Sequence, residues 1–183
     1  MKFKDHYTFL LLKPSTHKRK SQTSNHSVAD DIIEHIKKFG FIIISNKKIN
    51  PTYNDILRLY QEYLDSVKKD NPDNAVKMFE GYKSTLKNES CSLILLYHPK
   101  KNAKEYLCEI KGDNFKPSQC SHDSIRYLHR NIEWDKFCIE PGTISDFIPD
   151  DNVVHSPRNG SEFYPIINKY MKKEWETICS KIN

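Results

Sequence analysis

Four short apolar runs, at 7–12, 41–44, 92–97 and 152–155, are each too brief for an ordinary helix and rich in Phe, Ile, Leu and Val. Each reads as a core strand. The segments between them carry helical spacing instead. Val28–Phe39 places Ile32, Ile33 and Ile36 on one stripe, with Ser27 as N-cap and Gly40 as a left-handed stop. Ile56, Leu57, Tyr60 and Leu64 mark a helix over 53–67, and a second helix follows over 74–86. Asn102 opens a helix that Gly112 ends, and a last helix starts near Ser161 or Phe163 and runs through Tyr170 toward Trp175. Residues 14–27 read as a basic loop, and 113–151 are the least regular stretch. The order strand, helix, strand, helical pair, strand, helix, strand, helix predicts an α+β chain. Its strands form a ferredoxin-like split β-α-β core around a four-stranded antiparallel sheet.

At 183 residues this is one domain with insertions, and 9 Phe with 10 Tyr can fill its core. The net charge of +5 biases the surface toward anionic ligands. Its short lysine pairs and Lys18-Arg19-Lys20 read as solvated surface rather than a nucleic-acid groove. No run approaches the ~20 apolar residues that cross a bilayer. Cys91, Cys108, Cys120, Cys138 and Cys179 are odd in number, widely spaced and never C-x-x-C, which speaks against a disulfide framework or a structural metal site. No signal peptide is evident, so a reducing, cytoplasmic setting is expected.

Two strand ends carry chemistry. The first run stops at Lys13-Pro14 and the last at His155, a fixed cation and a nitrogen nucleophile suited to handling phosphate. On these motifs the chain resembles the nucleoside diphosphate kinases. Thr8-Phe9-Leu10-Leu11-Leu12-Lys13-Pro14 matches the family's T-F-x-x-x-K-P, and Asn152-Val153-Val154-His155 matches its N-x-x-H. Lys38-Phe39-Gly40-Phe41 looks like the K-G-F entry to the second strand, and Tyr53-Asn54-Asp55 like the Y-x-D of the H-Y-x-D-L segment. Gly112-Asp113-Asn114 with Pro117, then Ser124-Ile125-Arg126, is similar to G-x-T-N-P followed by T-I-R.

The resemblance implies a ping-pong phosphotransferase. An NTP such as ATP would phosphorylate His155, and the phosphohistidine would pass its phosphate to an NDP. An imidazole of pKa ~6.5 is neutral enough to attack at physiological pH. Lys13 and Arg126, with Mg²⁺ bridging the nucleotide phosphates, would neutralise the departing oxygens. Asn152 would bond the sugar hydroxyl, Tyr53 would orient or screen the imidazole, and Asn114 would join the nucleotide-binding set. No protein metal ligand is expected. The alternatives are a nucleotide-holding pseudoenzyme or interaction module, and a nucleotide-dependent modifier of a protein acceptor through the same cleft.

Several positions depart from the family pattern. Pro157 replaces the serine two places after the histidine, leaving Ser156 as the substitute. The glutamate that fixes the histidine tautomer falls by spacing near Ile166, so Glu162 serves only if the helix starts differently. Leu107-Cys108-Glu109 stands where an arginine is expected, with Lys104 or Lys111 as substitutes. Pro141-Gly142-Thr143-Ile144 also resembles P-G-T-I-R, a register that would put Ser145 at the arginine position; Arg126 is preferred because it has the charge. Insertions near 15–27, 68–90 and 127–151 would rim the cleft and could dock a protein partner. Family members form homo-oligomers; here a monomer, a dimer and a hexamer are all open.

Overall fold

The computed structural model describes residues 2–22, 24–70, 72–86, 89–113, 119–129 and 153–181, apart from the side chains of 63, 66, 67, 70, 74, 75, 77, 78, 84 and 85. Asn114, Asn152, Ser145 and nearly all of the 127–151 insertion lie outside the described residues.

After a 3-10 turn over Phe3–His6 come β1 (Tyr7–Leu12), α1 (Pro14–Lys18), α2 (Val28–Lys38), β2 (Ile42–Ile49), α3 (Tyr53–Asp70) and α4 (Pro72–Leu86). Then follow β3 (Cys91–Tyr97), α5 (Ala103–Lys111), α6 (Ile125–His129), β4 (Val154–His155), α7 (Gly160–Tyr170) and α8 (Lys172–Ser180). The strands lie in the order β2-β3-β1-β4, and every neighbouring pair is antiparallel. This is the expected split β-α-β sheet.

Both faces of the central strands are covered, which is why their sequences are continuously apolar rather than alternating. Tyr7, Phe9 and Leu11 of β1, with Leu93 and Leu95 of β3, face α3, α4, α7 and α8. Leu10, Leu12, Ile94 and Leu96 face α2, α5 and α6 on the opposite side. Among the described residues no helix is long and apolar enough to cross a membrane.

The caps read from sequence are in place. Ser27 accepts from the Asp30 N–H, and Gly40 takes φ +82°. Other boundaries moved for physical reasons. Pro14, expected to open a loop, instead occupies the first position of the short α1, where its missing N–H costs nothing. β2 continues to Ile49 because a bulge between Ile43 and Ser45 restores pairing with β3 for the polar Ser45–Lys48 segment. Helix α6 lies inside the stretch expected to be irregular. The C-terminal helix is two helices, broken at Met171, whose φ and ψ of −134° and 33° leave the helical region while its side chain fills the core.

Candidate functional site

The end of β1 lies beside the short antiparallel β4. His155 pairs with Leu11, Val154 pairs with Leu12, and the Lys13 N–H donates to the Val153 carbonyl at 3.1 Å. Side chains of a strand share a face at every second residue, so Lys13 follows Leu11 onto the face that His155 occupies. Both side chains are enclosed. Lys13 is fully buried, and the His155 side chain is 13 % exposed.

What encloses them is aromatic. The Tyr60 ring on α3 lies 4.7 Å from that of His155 and stacks on Tyr82 of α4 at 3.7 Å. The Lys13 amine sits 5.5 Å over the Tyr82 ring. The histidine and the lysine therefore flank a stacked tyrosine pair, with the α3–α4 hairpin closed over them. Asp55 anchors that hairpin: its Oδ2 accepts from the Thr52 N–H at 2.8 Å and from Lys169 and Tyr170 of α7 at 2.5 Å each. Burial pushes the Asp55 carboxyl up, but bonds from Lys169, Thr52 and Tyr170 outweigh it and leave it below its usual range.

Behind His155 stands Glu162. Asn159 caps α7, its Oδ1 accepting from the Ser161 and Glu162 N–H groups at 3.0 and 3.2 Å, and so fixes the start at Gly160. That start turns Glu162 inward, with Oε2 3.8 Å from His155 Nε2 and 2.8 Å from the Arg158 N–H. Nε2 is buried and has no hydrogen bond among the described residues, so 3.8 Å is an approach, not a bond. The position Ile166, favoured by family spacing, is core. Burial holds the imidazole down to about 4, Glu162 opposes that shift, and Lys111 and Lys13 add to it. His155 is therefore neutral at physiological pH.

Arg126 projects from α6 to the open edge of β4. Its Nη2 donates to the Val154 carbonyl at 3.1 Å and its Nη1 to the Gly112 carbonyl at 2.7 Å. Gly112 has φ +83°, and a Cβ there would meet Ser124 Oγ at 2.8 Å, so the turn that presents this carbonyl needs glycine. Burial lowers Arg126 to about 10, which leaves it charged. Lys111, at the end of α5, donates to Ser156 Oγ at 2.6 Å. With Arg126 and Arg158 it walls a cleft of about 370 Å³ that also includes Cys108 and Asp113.

The structure thus brings Lys13, Arg126 and His155 to one end of the sheet. Tyr53 is a correction. It is 46 % exposed and its ring meets Phe79 edge-on at 5.3 Å; the tyrosine against the imidazole is Tyr60, two helical turns later. Tyr60 entered the sequence reading only as part of a helical stripe, and neither Tyr82 nor Arg158 was singled out. The seven-residue spacing of Tyr53 and Tyr60 keeps both near one stripe of α3 and was the available signal. Among the described residues no group of three or more His, Cys, Asp or Glu is placed to hold a metal ion.

No protein-family model matches this chain, and no curated protein sequence does. Its backbone is similar to solved structures of nucleoside diphosphate kinases. That of Pyrobaculum aerophilum shares 18 % identity over 92 % of this chain and 97 % of that one, with a TM-score of 0.64. A transition-state mimic of the Borrelia burgdorferi enzyme with bound vanadate and ADP shares 12 % over 90 % and 86 %, also at 0.64. The apo enzyme of Encephalitozoon cuniculi shares 14 % over 91 % and 88 %, at 0.58. At such identities the likeness establishes a shared fold.

Proposed function

We propose that this chain, which has the nucleoside diphosphate kinase fold, is a nucleotide-binding phosphotransferase acting through a phosphohistidine on His155. The observation that carries the reading is a neutral imidazole on the same sheet face as Lys13, with a buried glutamate behind it, the charge of Lys111 acting on it and Arg126 bonded to the carbonyl of the preceding Val154. The cleft walled by Lys111, Arg126 and Arg158 offers the positive charge that a polyphosphate needs.

In this mechanism Glu162 closes the 3.8 Å gap to accept from Nε2–H, which leaves the lone pair of Nδ1 as the nucleophile. Nδ1 attacks the γ-phosphorus, the N–P bond forms, and the bond from that phosphorus to the bridging oxygen breaks to release the NDP. A second NDP then reverses the step and leaves as NTP. Lys13 and Arg126 stabilise charge on the transferred and leaving oxygens. Among the described residues no carboxylate set would cage Mg²⁺, which would be held by the nucleotide's own phosphate oxygens and would supply further charge neutralisation there.

The enclosure of His155 and Lys13 favours one second reading: a module that holds nucleotide in the outer cleft without transferring phosphate. Transfer requires the Tyr60–Tyr82 stack to move. Steady-state transfer from ATP to GDP with Mg²⁺ separates the two. The enzyme reading predicts parallel double-reciprocal lines, as for ping-pong kinetics, and loss of activity in His155→Ala. GDP and ADP binding without any transfer would establish the second reading.

A further inference from the structure

Lys111 stands where charge is hardest to keep. It is buried, it ends α5 against β4, and its amine is bonded to Ser156 Oγ at 2.6 Å, with Cys108 Sγ at 3.9 Å. No carboxylate among the described residues lies within ion-pair distance of that amine. The groups facing it are Cys108 and Glu109 of its own helix, Asp113 beyond it, Arg126 of α6, His155 of β4, and Arg158 and Glu162 at the start of α7. The two arginines share the cleft wall with it, so the site concentrates positive charge around an amine that can give up its proton. An arginine here would stay charged throughout.

We propose that Lys111 is a proton-dependent phosphate ligand: a polyphosphate entering the cleft between α5, α6 and Arg158 binds together with a proton taken up by this amine. The inference deepens the nucleotide reading and rests on it. Burial first, then Arg126, lower the amine to about 7, so near neutrality it is divided between its two forms. Phosphate oxygens arriving beside Nζ oppose both causes and restore the charge. The sign follows from linkage. A ligand that prefers the protonated amine binds best below the free value and loses affinity as pH rises through it, by at most about tenfold per pH unit. Nucleotide affinity would then respond to pH at values where the phosphates themselves, with a second pKa near ~6, no longer titrate.

The test is calorimetric binding of ADP, without added metal, at pH 8.5 in buffers of different protonation enthalpy. Wild-type protein is expected to take up between about half a proton and one proton per ADP bound. Lys111→Arg, which keeps a fixed charge, should take up none at that pH and bind ADP with little change between pH 7 and 9. Should arginine not fit, Lys111→Met removes the uptake and weakens binding at pH 7. Binding by wild type without proton uptake, or uptake undiminished in both variants, overturns this inference and leaves the nucleotide reading standing. Failure of wild type to bind ADP at any pH overturns the nucleotide reading and this inference with it.

Discussion

The Tyr60 ring lies 4.7 Å from the imidazole of His155, and its own hydroxyl is buried without a hydrogen-bond partner among the described residues. An enclosed, unbonded hydroxyl is destabilising, while the ring that carries it provides the cover over the histidine. Tyr60→Phe keeps the ring and removes the orphaned oxygen. It should leave stability unchanged or raise it by up to about 1 kcal/mol in urea unfolding. A loss larger than that would mean that the hydroxyl is bonded in solution.

Glu162 approaches Nε2 of His155 and raises its basicity. Glu162→Gln should therefore slow phosphorylation of His155 by roughly ten- to a hundredfold while changing ADP affinity little. Rapid-quench measurement of the first turnover separates these effects. An equal fall in ADP affinity would show that Glu162 shapes the pocket and does not tune the histidine.

Acid should begin to destabilise this chain before its carboxylates titrate. His155 and His129 are both held down to about 4, chiefly by burial, against about 6.5 in an unfolded chain. The unfolded state then binds more protons between those values, so stability is complete above about pH 6.5 and falls as pH drops toward 4. Each histidine accounts for on the order of 1–3 kcal/mol. Thermal unfolding across that range should show the slope, and His129→Gln should reduce it. An unchanged slope in the variant would indicate that His129 is solvated.

Asp55 acts in the same sense but at lower pH. Its folded value is depressed, so its contribution is present above the ordinary aspartate range and is lost as pH falls below it. Asp55→Asn removes the charge that Lys169 and Tyr170 bond, and should cost about 2 kcal/mol at pH 7. Because that cluster ties α3 to α7, proteolysis within the α3–α4 hairpin should also quicken. A variant as stable and as resistant as wild type would remove Asp55 from this role.

Much of this arrangement was legible in the residues, and the failures are local. Continuous apolar runs gave β1 and β3, because a strand covered on both faces needs no polar alternation. Lys13 and His155 were readable because each ends such a run. Tyr53 was misassigned because a motif fixes chain order, whereas the ring that meets the imidazole depends on where α3 crosses β4. Glu162 was passed over for Ile166 because counting from His155 assumed a later helix start than Asn159 enforces. Helix α6 escaped notice because five residues show no period, and its burial arises from α2, α5 and the edge of β4 rather than from its own pattern.

The most direct measurement is incubation with γ-labelled ATP and Mg²⁺ in the absence of acceptor, followed by localisation of the label. The account predicts an acid-labile, alkali-stable phosphate on the peptide bearing His155, absent from His155→Ala, greatly weakened in Lys13→Ala and discharged by GDP. Equal labelling of wild type and His155→Ala, or none in a wild-type protein that binds ATP, would contradict it.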